Sequence, residues 1–360
     1  MRIGFDAKRY FFNRTGLGNY SRGVVKALAQ TFPNDEFVLF TPKAAPTFTL
    51  PENVSTFSPS SKSPLWRLSG VSRDAEKLGI HVYHGLSNEL PLGLKKRGVR
   101  SVVTIHDVIF KRFPEYYKMP DRWLYDWKTK HALNTADKVV VTSQATAADL
   151  EQFYGYKASD CEVIYQPVQD AFYQKSEVDV QEQQLYFIYV SSFTGRKNHN
   201  ILIEAFAKIK KMTDYNLILI GSAGETLQSV LNYVQHERLE DRVKVIVNAS
   251  QDEVVGYMQS AAAFVYPSLF EGFGIPLAEA AVCNLPMAVS NIDVFKELAG
   301  NAAHFFHPNK ADEIADSMLR LTNPEEWVGQ QADRQLLLDK IQPAKMAQHQ
   351  MEVYRSIYSI

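Results

Sequence analysis

Cysteine is scarce in this chain of 360 residues, which holds only Cys161 and Cys283. Both lie in apolar segments, so we expect buried, reduced thiols in a cytoplasmic protein and no disulfide. An excess of one charge is also missing, because 39 basic residues face 40 acidic ones, which argues against a broad surface for nucleic acid. No apolar run is long enough for a membrane span or for the core of a signal peptide.

Recognisable metal-binding patterns are missing as well. The chain has no Asp-x-Asp sequence, and its His and Cys residues form no cluster with the spacing of metal ligands. We therefore expect no metal ion, and our prediction includes no organic cofactor.

Two α/β domains are expected from the length and from the order of the apolar runs. A chain of 360 residues exceeds one ordinary core. Short runs rich in Val and Ile alternate with segments of helical periodicity, which predicts parallel, doubly wound Rossmann-like sheets. The predicted strands are residues 3–7, 37–41, 82–84, 101–105, 138–142 and 162–165, then 185–190, 216–220, 243–247, 263–266, 287–290 and 304–306.

The polar stretch 166–184 lacks apolar periodicity and predicts the linker between the domains. We place the first domain at residues 1–170 and the second at 171–341. Residues 342–360 predict a final helix, because apolar residues recur there at helical spacing.

The most specific stretch of the sequence is residues 268–281, SLFEGFGIPLAEAA. It follows a predicted buried strand and leads into a predicted helix, with Pro276 suited to the first helical position. Its glycines allow a sharp turn and a close approach of a ligand to the backbone, and a helix N-terminus suits a phosphate. Glu271 and Glu279, placed before the helix and in its first turn, would flank that anion from two sides. Acids at a helix start are also common for purely structural reasons.

Arg196 and Lys197 follow the first predicted strand of the second domain and precede a predicted helix. An arginine can hold phosphate oxygens bidentately and a lysine adds a mobile charge, so the pair suits a diphosphate. A solvated basic turn is the alternative.

The glycine-containing segment 13–21 follows the first strand and predicts a loop near a phosphate, followed by a helix over 20–30. It also partly matches a dinucleotide-binding fingerprint. That match is poor, because the second strand offers no acid for a ribose.

His106 and Asp107 lie at the end of a predicted buried strand. A histidine at a strand end is often structural, but here Asp107 can orient it. The following stretch, 110–131, mixes seven aromatic residues with six cations and three acids. This composition suits a contact with anionic lipid headgroups or with acceptor sugars. The alternative is a set of half-buried aromatics beside solvated lysines, which is favoured if a helix starts near residue 120.

Residues 268–281 resemble the Glu-x7-Glu motif of retaining GT-B glycosyltransferases of the fourth family (group 1 glycosyltransferases), whose usual sequence is close to EGFGLPxxEA. The segment Gly-Arg-Lys-Asn at 195–198 resembles a compressed form of the G-x-x-x-K-N segment of the same family, and Thr-Ile-His-Asp at 104–107 resembles its T-x-H-D context. The resemblance implies two Rossmann-like domains facing a cleft, with the C-terminal helix crossing back to the first domain. It also implies transfer without a metal ion.

The same resemblance implies roles for individual residues on the donor side. Arg196 and Lys197 would hold the diphosphate of a nucleotide sugar, Glu271 would contact the reacting sugar, and Glu279 would hold the ribose. The remaining donor-binding candidates are the glycines and backbone amides of Gly16, Gly18, Phe273, Gly274 and Ile275.

On the acceptor side, the resemblance implies that His106 reaches over the donor sugar, with Asn19 and Asp107 near the acceptor. The implied activity is retaining transfer of a hexose, with GDP-mannose as first choice of donor and a UDP-sugar as the alternative. The acceptor would be a saccharide or lipid-linked saccharide of cell-surface polysaccharide synthesis. We expect a cytoplasmic protein with a possible peripheral contact on the inner membrane.

Three other functions fit parts of the sequence. A GT-B sugar-nucleotide epimerase or a phosphorylase would share the fold, but the pair Glu271 and Glu279 argues against both. An NAD-dependent oxidoreductase is disfavoured by the poor fingerprint. A binding protein without activity is disfavoured because all the expected charged groups are present.

Overall fold

The computed structural model describes residues 1–13, 16–43, 49–59, 63, 65–178, 180, 185–328 and 331–358. The chain divides into two compact units, Met1–Pro167 together with Ile341–Ile360, and Val168–Lys340. The division after Pro167 lies three residues before the boundary predicted from the sequence.

The first unit is built on a parallel sheet of seven strands in the order β3-β2-β1-β4-β5-β6-β7. The strands are β1 (Arg2–Asp6), β2 (Glu36–Phe40), β3 (Val54–Phe57), β4 (Val82–Gly85), β5 (Arg100–Ile105), β6 (Lys138–Val141) and β7 (Cys161–Val163). The helices are α1 (Lys8–Phe12), α2 (Gly16–Thr31), α3 (Val71–Lys77), α4 (Ile109–Arg112), α5 (Met119–Thr135) and α6 (Gln144–Tyr154). Each face of the sheet carries its own apolar core.

Strand β3 was not predicted from the sequence. It pairs with β2 at the edge of the sheet, where Phe37 lies opposite Val54. Only Val54 of its four residues is buried, so no apolar run marks the strand. Its edge position needs burial on one side alone, which is why the search for apolar runs missed it.

The second unit has a parallel sheet of six strands in the order β10-β9-β8-β11-β12-β13. The strands are β8 (Tyr186–Val190), β9 (Asn216–Gly221), β10 (Val243–Val247), β11 (Ala263–Tyr266), β12 (Met287–Ser290) and β13 (His304–Phe306). The helices are α7 (His199–Ile209), α8 (Leu227–His236), α9 (Gln251–Ser260), α10 (Ile275–Val282), α11 (Asp293–Ala299), α12 (Ala311–Leu321), α13 (Pro324–Val328) and α14 (Gln331–Lys340).

The last helix, α15 (Pro343–Tyr358), packs on α2 of the first unit. Its apolar side chains Met346, Met351, Tyr354 and Ile357 are buried in the core that also holds β1. The predicted return of the C-terminal helix to the first domain is confirmed, and so is the prediction of two doubly wound α/β domains.

The two thiols are free and only half-buried, so the prediction that both are buried is wrong. Cys161 begins the edge strand β7, and Cys283 follows the last residue of α10. Burial raises the pKa of each thiol to about 12, with nearby carboxylates adding to the effect, so both are neutral at physiological pH.

Candidate functional site

In both units the sheet order is that of a doubly wound fold, in which the order reverses between the first and fourth strands. Ligands of such folds bind beyond the carboxyl ends of the strands at this reversal. In the second unit the reversal lies between β8 and β11. The segments that follow these strands, 191–198 and 267–274, are the two that the sequence singled out.

The structure brings these two segments together. The amide of Leu269 donates to the carbonyl oxygen of Arg196 at 2.9 Å. The side-chain amide of Asn198 donates to the carbonyl oxygen of Pro267 at 3.2 Å. Asn198 has a left-handed backbone with φ of 60°, which ends the short 3₁₀ turn Gly195–Lys197 and starts α7. Arg196 and Lys197 are thereby fixed beside Glu271.

The carboxylate of Glu271 is the centre of a buried cluster, with its side chain only 9% exposed. Lys197 forms an ion pair with one carboxylate oxygen, and Nη1 of Arg196 lies 3.1 Å from the other. The hydroxyl of Ser268 donates to the same carboxylate at 2.7 Å. Burial alone would raise the pKa of Glu271, but Lys197 and Arg196, aided by these hydrogen bonds, lower it to about 2. The carboxylate is therefore ionised at neutral pH.

Two buried tyrosines contact this cluster. The hydroxyl of Tyr189 donates to the carbonyl oxygen of Lys197 at 2.8 Å and lies 3.3 Å from the hydroxyl of Ser268. The ammonium group of Lys197 lies 5.6 Å from the centre of the Tyr266 ring, within reach of a cation–π contact. Sequence reasoning missed both tyrosines, because a tyrosine inside a buried strand has the same pattern as any core residue.

The turn after Glu271 requires glycine at Gly274. This residue has φ of 100°, and a Cβ atom there would lie 2.6 Å from the ring of Phe295. Helix α10 begins at Ile275, so Pro276 is its second residue. Phe273 is buried. The backbone amides at the start of α10 include those of Gly274 and Ile275, and the contacts of these amides and that of Phe273 with a donor stay predictions.

Glu279 lies in the second turn of α10, so its predicted place in the first turn is wrong. The predicted turn assumed that the helix starts later than Ile275. Among the described residues, none donates a hydrogen bond to its carboxyl group, and the residue is 6% exposed. Burial raises the pKa of Glu279 to about 8, so the carboxyl group is mostly protonated at pH 7.

In the first unit the predicted glycine loop is largely a helix. Helix α2 begins at Gly16, so Gly16, Gly18 and Asn19 lie in its first turn, and the predicted start at residue 20 is wrong. Residues 14 and 15 of the predicted loop lie outside the described residues. Gly18 packs against the preceding backbone so closely that a Cβ atom would lie 1.9 Å from the carbonyl oxygen of Asn13. The side-chain oxygen of Asn19 accepts from Arg22.

His106 lies just beyond β5 with both ring nitrogens engaged. Its Nε2–H donates to the carbonyl oxygen of Leu86 at 2.8 Å, and Nδ1 lies 3.2 Å from the side-chain amide of Gln166. Burial lowers the pKa of His106 to about 4, although its bond to Leu86 opposes the shift, so the ring is neutral. One carboxylate oxygen of Asp107 accepts from the amide of Ile109 at 3.1 Å. Leu86 and Gln166, and not Asp107, orient the ring.

A buried chain of polar groups runs beside His106. The ring of Tyr20 packs edge-on against that of His106, with centres 4.5 Å apart. The Tyr20 hydroxyl lies 3.0 Å from that of Thr104, and Thr104 lies 2.8 Å from Nε2 of His84. His84 in turn lies 2.7 Å from the hydroxyl of Tyr354 on α15. The C-terminal helix is thereby connected to the environment of His106.

The reversal of strand order in the first unit, between β1 and β4, carries a charged cluster that sequence reasoning missed. The guanidinium group of Arg67 bridges Asp6, at the end of β1, and Glu89. Nζ of Lys128 lies 2.5 Å from the second oxygen of Glu89. These side chains are between 12% and 30% exposed, so each keeps some contact with solvent. Asp6 and Glu89 stand 83 positions apart, and nothing in the sequence links them.

Two absences concern the part of the chain that the structure describes. No group of three or more His, Cys, Asp or Glu side chains is placed to hold a metal ion among those residues. Within the same residues, no helix combines the length and the apolar character needed to cross a bilayer.

Comparison with known proteins identifies one relative that matches nearly the whole chain and another that matches about three fifths of it. The chain is 29% identical to the O-antigen chain mannosyltransferase B of Escherichia coli over 357 residues, covering 91% of this chain and 92% of that protein. It is 31% identical to the O-antigen chain mannosyltransferase RfbU of Salmonella typhimurium over 238 residues, covering 61% and 63% of the two chains.

Solved structures share the fold at low identity. Sucrose-phosphate synthase of Thermosynechococcus elongatus matches with a TM-score of 0.79 and 20% identity, covering 100% of this chain and 99% of the other. The Anabaena protein HepE, in complex with UDP and glucose, matches with a TM-score of 0.73 and 18% identity, covering 99% and 100%. The two domains and these matches confirm the GT-B fold class.

Two family models divide the chain between them. Residues 14–172 match the model described as Glycosyltransferase Family 4, and residues 172–334 match the one described as Glycosyl transferases group 1. The family gives no support to an epimerase or an NAD-dependent oxidoreductase. The chain belongs to the group 1 glycosyltransferases and is a glycosyltransferase.

Proposed function

We propose that this enzyme transfers mannose from GDP-mannose to a saccharide or lipid-linked saccharide during synthesis of a cell-surface polysaccharide, with retention of configuration. The similarity to two O-antigen mannosyltransferases supports the sugar and the pathway class. The observation that carries the chemistry is the cluster of Arg196, Lys197 and Glu271 at the strand-order reversal of the second unit.

The charge of this cluster suits the departing diphosphate. Arg196 and Lys197 supply two positive charges against the single negative charge of Glu271, so one positive charge remains for phosphate oxygens. Cations fixed in a buried site stabilise developing negative charge without having to reorganise during the reaction. The amides of Gly274 and Ile275 at the start of α10 add donors to the same region.

The two glutamates have different environments, which supports different roles. Glu271 is ionised and lies beside the cations, so it suits a contact with the reacting sugar, whose anomeric carbon gains positive charge. Glu279 is buried and mostly protonated, with no hydrogen bond from the described residues to its carboxyl group. Ribose hydroxyls would satisfy that group, which supports the predicted ribose contact.

The bond changes balance without a protein nucleophile. The bond between the anomeric carbon and the diphosphate oxygen breaks, and the acceptor hydroxyl oxygen forms its bond on the same face. The acceptor proton passes to the departing phosphate oxygen. Arg196 and Lys197 offset part of the negative charge of the diphosphate as it departs.

We propose that the acceptor binds at the strand-order reversal of the first unit. The carboxylates of Asp6 and Glu89, held by Arg67 and Lys128, suit the hydroxyl groups of a saccharide. Asn19 and Asp107 stay predictions for the same substrate. His106 stays a prediction for the sugar, and a contact through its ring would replace the bond to Leu86 or Gln166.

A donor panel tests the proposal. Purified enzyme is incubated with GDP-mannose, UDP-glucose, UDP-galactose and ADP-glucose, and the released nucleotide is measured. GDP release from GDP-mannose should exceed the other rates and should fall by about a hundredfold or more in Arg196→Ala. Turnover of a UDP-sugar alone would overturn the choice of donor.

The metal requirement is tested with the same assay. Addition of EDTA should leave nucleotide release unchanged, because fixed cations of the protein take the place of a metal ion beside the diphosphate. Loss of activity that magnesium restores would contradict this part of the proposal.

A further inference from the structure

The outer face of α5 carries large apolar side chains that the fold leaves uncovered. Met119, Trp123 and Trp127 follow one another at intervals of four residues and are 71%, 74% and 40% exposed, and Leu124 beside them is 43% exposed. We call these four residues the α5 stripe. A spacing of four places them along one side of the helix.

The opposite face of α5 packs on the first unit through Thr129, Ala132 and Leu133. The α5 stripe therefore does not serve the core. The sequence-based alternative of half-buried aromatics is wrong for Trp123, although the helix does begin near residue 120. Other exposed apolar residues, such as Met212 and Leu336, stand singly, which is ordinary for a protein surface.

The charges around the stripe are mainly positive. Asp126, the acid next to it, is paired with Lys111 at 2.6 Å and Lys130 at 2.9 Å. Nη1 of Arg122 lies 3.6 Å from the sulfur of Met119, at the edge of the stripe. Asp121 lies about 160° around the helix from Trp123 and about 60° from Leu124, so it flanks only the Leu124 edge of the stripe. An anionic surface meeting the stripe would thus meet cations.

We propose that the α5 stripe docks the enzyme on an anionic lipid bilayer. Tryptophan is enriched at membrane–water interfaces, and a helix with an apolar face and flanking cations lies in the plane of such an interface. The proposal goes beyond the sugar transfer and does not depend on which donor is used. It identifies the surface through which a lipid-linked acceptor would be met.

Two other occupants fit the stripe less well. Complete covering of its exposed parts would bury roughly 500 Å². A stable dimer needs about 800 Å² on each partner, so the stripe is small for a second copy of the chain. The stripe is also the convex face of a helix, whereas saccharides bind in concave sites that surround their hydroxyl groups.

Vesicle flotation tests the proposal on the full chain. The wild-type enzyme should float with vesicles of phosphatidylcholine and phosphatidylglycerol and bind pure phosphatidylcholine more weakly. The double variant Trp123→Ser with Trp127→Ser should bind the anionic vesicles at least about tenfold more weakly than the wild type. The matched control, Met212→Ser with Leu336→Ser, removes two exposed apolar side chains of the second unit and should bind like wild type.

Two further measurements separate docking from misfolding. Nucleotide release from a soluble donor and the thermal midpoint should be nearly unchanged in the tryptophan double variant, because Trp123 is 74% exposed and the Trp127 ring stacks on His131 of the same helix. Exchange of Lys118 and Arg122 to Gln should weaken binding to the anionic vesicles alone.

Three outcomes would overturn the proposal. One is equal vesicle binding by wild type and the tryptophan double variant. Another is a wild-type protein that is dimeric and does not bind vesicles, together with a double variant that is monomeric. That result would assign the stripe to a second copy of the chain. The third is a raised KM for a water-soluble saccharide with unchanged vesicle binding, which would assign it to sugar stacking.

Discussion

The buried pair of Lys197 and Glu271 makes a quantitative prediction. Both side chains are less than a tenth exposed, so Lys197→Met leaves a buried carboxylate with Arg196 as its remaining cation. Removal of one partner from a buried ion pair costs about 3–5 kcal/mol. Because Arg196 stays 3.1 Å away, we expect the low end, about 3 kcal/mol. The pKa of Glu271 falls from 4.5 to about 2 because Lys197 and Arg196 together outweigh its burial, so loss of one of these cations leaves the carboxylate under-compensated.

Urea denaturation of Lys197→Met, of Glu271→Gln and of the double variant measures this free energy. Glu271→Gln added to Lys197→Met removes the unpaired charge, so the double variant should recover most of the lost stability while remaining inactive. The effect has a defined pH dependence, because a lowered carboxyl pKa stabilises the fold above pH 4.5 and loses that effect as the pH falls towards 2. A loss below about 1 kcal/mol in Lys197→Met, or a double variant as unstable as the sum of the single ones, would refute the reasoning.

Three other predictions concern single groups. Glu279→Gln should become increasingly more stable than the wild type as the pH rises from 4.5 to 8, because the raised pKa of Glu279 destabilises the wild type over that range. Free energies of unfolding with the same pH dependence in both proteins would contradict this prediction. Gly274→Ala should lower the stability by about 2 kcal/mol or more. The control Gly98→Ala should cost about 1 kcal/mol, because Gly98 also has a positive φ but has open space around it. Equal shifts of the thermal midpoint in the two variants would contradict the contact with Phe295. Tyr354→Phe should cost about 1–2 kcal/mol by removing the bond to His84, whereas the exposed Tyr358→Phe should cost almost nothing in the same denaturation assay.

The proximity of the two candidate segments of the second unit could be predicted from the sequence because each segment is local, whereas the roles of their residues stay predictions. Residues 195–198 and 268–276 are each a short segment after a strand, and the order of strands in a doubly wound sheet places their ends together. The Arg196–Glu271 contact therefore follows from the topology. Glu279 lies in the second turn because the helix starts at Ile275, one residue earlier than predicted, and that start depends on the backbone of Gly274, which composition does not define.

Features that depend on long-range packing escaped prediction. The edge strand β3 has one buried residue, so its pattern is too weak to recognise. The cluster of Asp6, Arg67 and Glu89 joins three separate segments of the first unit. The exposure of Trp123 depends on which face of α5 meets the core, and alternating aromatic and basic residues do not decide that face.

The transfer rate of Arg196→Ala tests the central claim most directly. The Arg196 side chain is 28% exposed, so its loss should leave the fold intact, and Lys208→Ala on α7 is a matched control at an exposed cation. We expect single-turnover transfer from GDP-mannose to slow by about 100- to 1000-fold, with the control unchanged. A folded Arg196→Ala enzyme with nearly normal transfer would contradict the assignment of this cluster to the departing diphosphate.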